Sequence, residues 1–75
     1  MQGYTVALVL ANKRAANHKL GVKLGKACIK SGIPVAQVAA DFNLSRTAIY
    51  AWFCGRSNPN WRLEDAILQY IKDLA

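Results

Sequence analysis

Three breaks decide what this chain can fold into. Gly32-Ile33-Pro34, Asn43-Leu44-Ser45 and the run from Gly55 to Pro59-Asn60 each join a residue that tolerates left-handed backbone to one that opens a helix. Glycine or asparagine stops the preceding turn. Proline, serine or asparagine then supplies the first position or the cap of the next. The chain is thereby cut into short pieces, and helices this short are marginal alone in water. Each piece must bury its apolar face against another piece.

Within the pieces, apolar residues recur at helical spacing. Residues 6–16 are rich in Ala and Leu, with Thr5 as cap. A strand over residues 4–10 is the alternative, because Thr5, Val6 and Val9 favour strands. Helix is preferred because residues 11–16 carry no turn signal. A second helix is expected over residues 18–31, with Asn17 as cap and Gly32 as stop. Leu20, Leu24, Ala27 and Cys28 share one face, Lys19, Lys23, Lys26 and Lys30 a second, and Val22 and Ile29 a third. Gly21 and Gly25 lie between the two apolar sectors. Each costs about 1 kcal/mol relative to alanine inside a helix, so close approach by another backbone is expected there. The N-terminal segment is the expected neighbour, packing over Gly21, Val22, Gly25 and Ile29.

The third helix, residues 35–42, aligns Val38, Ala39 and Phe42. The fourth runs from its Ser45 cap to residue 53 or 54. It turns Ala48, Ile49 and Trp52 inward and Arg46, Thr47, Tyr50, Ala51 and Cys54 outward. Asn60 caps the last, residues 61–74, whose core face is Leu63, Ala66, Ile67, Tyr70, Ile71 and Leu74. The expected fold is all-α: a compact bundle of four to five short helices in a single domain, residues 1–75. Residues 1–17 form a helical N-terminal extension to it.

The charge is lopsided. The net charge is +6, and residues 1–40 hold Lys13, Arg14, Lys19, Lys23, Lys26 and Lys30 with no acid at all. Asp41, Glu64, Asp65 and Asp73 balance Arg46, Arg56, Arg62 and Lys72 in the remainder. Such a chain suits a polyanionic partner. The apolar run from Val6 to Ala11 is far short of the ~20 residues a transmembrane helix needs. It also lacks the flanks of a secretory signal. Cys28 and Cys54 form no Cys-x-x-Cys pair and have only His18 to join them, so no metal and free thiols are expected. No Gly-rich loop or nucleophile motif accompanies them. No enzyme, cofactor, small-molecule ligand or membrane partner is expected.

Two short helices joined by a turn of three residues read as a helix-turn-helix, residues 34–54. Ala39 is small where the helices cross. Asn43 makes the turn, Leu44 plugs the core, and Ile49 and Trp52 anchor the second helix. The stretch PVAQVAADFNLSRTAIYAWFCGRSNP resembles the helix-turn-helix of the phage repressor and Cro family, also called the xenobiotic-response-element type. Ala39, Leu44, Ser45, Ile49 and Trp52 match its small, apolar, cap, apolar and anchor positions. Gly55 and Pro59 match its tail. The likeness extends more loosely from Leu20 to Leu74. The sequence departs from the family where Val35 replaces a phosphate-holding Gln and Asn43 replaces the turn Gly. It also departs where Cys28 and Phe53 replace an Arg–Glu pair with an apolar contact.

The resemblance implies a lambda-repressor-like fold and sequence-specific binding of a double-stranded DNA operator in a bacterial or phage-infected cytoplasm, with repression by occlusion. Arg46, Thr47, Tyr50 and Ala51 would contact bases. Arg46 suits guanine, and Thr47 and Ala51 suit a thymine methyl. Ser45, Gln37, Arg56, Ser57, Asn58, Lys19 and Lys23 would contact phosphates, while the role of Lys26 and Lys30 stays open. Trp61 and Leu68, seven apart off the core face of the last helix, would form a homodimer contact; the alternative is Trp61 folded onto Pro59. Two rival functions use the same residues differently. One is an accessory factor in phage recombination, packaging or replication. The other is a protein-interaction module binding host polymerase or a membrane surface.

Overall fold

The computed structural model describes residues 5–74. They form five α-helices, with no strand among the described residues. In chain order these are α1 (Val6–Arg14), α2 (Leu20–Ser31), α3 (Val35–Phe42), α4 (Arg46–Phe53) and α5 (Glu64–Leu74), the last entered through a 3-10 turn, Trp61–Leu63.

The breaks act as their residue types dictate. Gly32, Asn43 and Gly55 all adopt positive φ, at 72°, 56° and 76°. All three turns close by backbone bonds running back over the helix end. Ile33 N–H donates to the Cys28 carbonyl at 3.0 Å, Leu44 N–H to the Ala39 carbonyl at 2.9 Å and Arg56 N–H to the Ala51 carbonyl at 2.9 Å. At the other helix ends, Thr5 Oγ1 accepts from Leu8 N–H, Ser45 Oγ from Ala48 N–H and Asn60 Oδ1 from Arg62 N–H.

The N-terminal third differs in detail from the expected boundaries. Residues 6–14 are helical rather than a strand, while Tyr4 lies outside the described residues. α1 ends at Arg14, two residues early, because Ala15 turns to extended backbone with ψ 160°. Asn17 is not a cap. Asn17 and His18 form a tight turn, closed by Lys19 N–H donating to the Ala16 carbonyl at 3.2 Å. Lys19 takes the cap position of α2 without a side-chain cap bond. This turn reverses the chain so that α1 can lie against α2.

α2 is the centre of the bundle and packs on α1, α4 and α5, while α3 packs on α4. Leu24, Cys28, Val38, Ile49, Phe53 and Ile67 are fully enclosed in one core. Burial of a side chain such as Leu24 or Phe53 stabilises by about 1.5–3 kcal/mol. Cys28 and Phe53 are both in this core. Phe42 sits between Trp52 and Tyr70, with ring centroids 6.0 and 5.1 Å away. Two expected core residues are not buried: Leu44 lies on the surface of its turn and Ala66 faces solvent.

The paired glycines divide their roles. A Cβ on Gly21 would stand 2.8 Å from the Trp52 carbonyl oxygen, so α4, not the N-terminal segment, approaches there. At Gly25 both neighbours meet, with Asn12 of α1 at 2.5 Å and Phe53 of α4 at 2.9 Å from the same position.

Candidate nucleic-acid interface

α4 is amphipathic. Ile49, Trp52 and Phe53 are locked into the core, while Arg46, Thr47 and Tyr50 are exposed and Ala51 and Cys54 are half-buried. Ser45 caps the helix at the end where Arg46 and Thr47 project. The four residues expected to meet bases thus stand together on one outward face. The following loop is folded back onto the helix. Gly55 N–H donates to the Trp52 carbonyl, and Arg56 N–H donates to the Ala51 carbonyl at 2.9 Å. Arg56, Ser57 and Asn58 are all exposed there.

α1 was not part of the expected site, yet it flanks it. An open groove of about 580 Å³ runs between the two helices. Thr5, Ala7, Leu8 and Ala11 form one wall, and Thr47, Tyr50, Ala51, Cys54 and Arg56 the other. α1 is seated by Leu8 and by Asn12, which is only 2% exposed. The Asn12 side-chain amide donates to the Phe53 carbonyl at 2.8 Å and to the Val22 carbonyl at 3.3 Å. One side chain therefore ties α1 to both α2 and α4. The signal was present in the sequence. Leu8, Asn12 and Ala15 lie at i, i+4 and i+7, one stripe of a helix, and a polar residue in a buried stripe must find partners.

The lysine stripe resolves into distinct roles. Lys19 Nζ donates to the Gly55 carbonyl at 2.8 Å, which brings this cation beside the Arg56 loop. Lys26 is half-buried and its Nζ reaches the Asn12 carbonyl at 3.4 Å, at the C-terminal end of α1. Lys23 and Lys30 are exposed. Gln37 does not line the α1–α4 groove. Its amide donates to Asp41 Oδ1 at 2.7 Å, and Tyr70 OH donates to Asp41 Oδ2 at 2.6 Å. The acids are segregated: Asp41 ends α3, Glu64, Asp65 and Asp73 lie on α5, and α1, α2 and α4 carry none.

Trp61 and Leu68 are 72% and 53% exposed. The Trp61 ring lies under the Arg62 guanidinium, 5.4 Å from its centroid. A hollow lined by His18, Leu20, Asn58, Pro59 and Glu64 adjoins Leu68. Both thiols are free. Burial, with the negative charge of Asp41 added, pushes the Cys28 thiol up to about 12. This holds it neutral and unreactive. Among the described residues, no group of three or more His, Cys, Asp or Glu is placed to hold a metal ion. No described helix is long and apolar enough to cross a membrane. No family model, curated protein or solved structure matches the chain.

Proposed function

We propose that this protein binds double-stranded DNA sequence-specifically, as a Cro- or repressor-like regulator acting by occlusion of its operator. The observation that carries this reading is the α4 tetrad. Arg46, Thr47, Tyr50 and Ala51 share an outward face, while the opposite side of the same helix is fixed in the core. Of the elements packed on α4, α1 and α2 hold no acid, and α3 holds only Asp41, which is bonded to Gln37 and Tyr70. In this reading α3 and α4 are the two members of a helix-turn-helix, and α4 enters the major groove. Arg46 bonds guanine O6 and N7, Thr47 and Ala51 meet thymine methyls, and Tyr50 packs on sugar or bonds a phosphate. Ser45, Arg56, Ser57 and Asn58 contact phosphates, and Lys19 and Lys23 add sequence-independent attraction. Gln37 has a weaker claim, because its amide is bonded to Asp41. Two copies joined through Trp61 and Leu68 would present their reading helices to half-sites roughly 34–36 Å apart.

Selection of duplexes from a randomised pool by the wild-type protein tests the reading. One enriched sequence is expected. On that duplex Arg46→Ala is expected to cost about 1–3 kcal/mol and to relax a single base position. Equal binding of every duplex by the wild type would remove the claim of specificity.

A further inference from the structure

Given the proposed place of α4 in the major groove, on which this rests, we infer that the α1–α4 groove seats one sugar–phosphate strand of the duplex. α1 is then the outer wall of the DNA-binding surface. Size forces the arrangement. The major groove is about 12 Å wide and a helix with its side chains fills about 10–12 Å of it. Packed helices stand about 8–10 Å apart, so two side by side cannot enter together. α1 packs directly on α4 and shares a groove with Thr47, Tyr50 and Ala51. With α4 between the strands, α1 lies beside one of them, and the open groove above the α1–α4 contact is the surface that faces that strand.

The walls suit a sugar–phosphate strand. Ala7 and Ala11 are small and apolar, which admits the carbon face of deoxyribose closely. Thr5, Tyr50 and Arg56 supply hydroxyls and a guanidinium for phosphate oxygens. No carboxylate stands on α1, α2 or α4 to repel a polyanion. α1 is held on α2 and α4 by the two amide bonds of Asn12 and by Leu8, so the wall is fixed rather than trailing.

Two variants of α1 separate contact from general charge. Ala7→Glu and Val6→Glu each place one negative charge in the first turn of α1, where an acid favours the helix. Both residues are exposed, but only Ala7 lines the groove. Binding is read on the duplex that the wild type enriches from a randomised pool, with circular dichroism as a check on folding. Ala7→Glu is expected to weaken binding about tenfold more than Val6→Glu, because a carboxylate is then pressed against a phosphate. Ala7→Lys is expected to steepen the salt dependence by about one counterion, with sequence preference unchanged. Equal effects of the two Glu variants would overturn the inference and leave only long-range repulsion. No effect from either would overturn it too, and would leave the groove to an apolar polypeptide. Arg46→Ala is measured on the same duplex. A loss there together with equal Glu variants rejects the strand seat but keeps α4 as the reader. A wild type that enriches no duplex rejects both.

Discussion

Asn12 is the single polar side chain buried among the described residues, and its position explains why Gly25 must lack a side chain. The amide that donates to Val22 and Phe53 lies where a Cβ of residue 25 would be. Asn12→Ala is expected to cost about 1–3 kcal/mol in urea unfolding, since two carbonyls lose their side-chain donor. Gly25→Ala gains about 1 kcal/mol of helix propensity but is expected to lose more to overpacking. Because both changes act at one contact, the double variant should be less unstable than the sum of the two singles. Strict additivity would show that Asn12 does not set the requirement at Gly25. Cys28 makes a second argument at this scale. Its folded-state value, about 12, lies above the ordinary thiol value near 9. The stability tied to the neutral thiol is therefore present in full below about pH 8–9, and falls as the pH rises towards the folded-state value, by at most about 1.4 kcal/mol per unit. Unfolding midpoints measured upward from about pH 8 should decline more steeply for the wild type than for Cys28→Ala. Equal slopes would assign the alkaline loss to lysines and tyrosines instead.

Turn chemistry made the helices legible, and tertiary contact decided their roles. Gly32, Asn43 and Gly55 announce their left-handed backbone, and Ser45 announces its cap, because each effect is local to a few residues. The spacing of Ile49 and Trp52 likewise placed Arg46, Thr47, Tyr50 and Ala51 on the outward face of α4. The position of α1 was legible only in part. The glycines of α2 announced its approach at Val22 and Gly25, but its seat on α4 at Phe53, 41 residues from Asn12, lies beyond the reach of any local pattern. The same limit applies to the lysines of α2. Periodicity put all four in one stripe, but Lys19 and Lys26 reach carbonyls at the ends of α4 and α1, where a cation meets the negative end of a helix. Lys23 stands in solvent between them. Lys26→Ala is expected to lower stability by about 0.3–1 kcal/mol. Lys23→Ala should leave stability within about 0.5 kcal/mol while reducing the salt slope of DNA binding by about one. Should Lys23→Ala leave that slope unchanged, its side chain meets no phosphate.

At the scale of the molecule, charge decides which faces of two copies can meet. A chain of net charge +6 repels its own copy across most of its surface. α1, α2 and α4 are free of acids, so a symmetric contact through any of them would juxtapose like charges. α5 and the turn before it differ, because Glu64, Asp65 and Asp73 stand with Arg62 and Lys72. Two copies related by a twofold axis can therefore pair acid with base on this face, and here Trp61 and Leu68 are exposed. A buried tryptophan contributes about 150–250 Å² to an interface. The hollow beside Leu68 mixes apolar Leu20 and Pro59 with polar His18, Asn58 and Glu64. Trp61→Ser combined with Leu68→Ser is expected to change monomer stability by no more than about 0.5 kcal/mol, since neither side chain is in the core. The same double variant should reduce the protein bound per selected duplex from two copies to one and weaken binding, as sedimentation on that duplex would show. A retained stoichiometry of two would move the contact elsewhere, and the charge argument would then have to yield to bridging by the DNA itself.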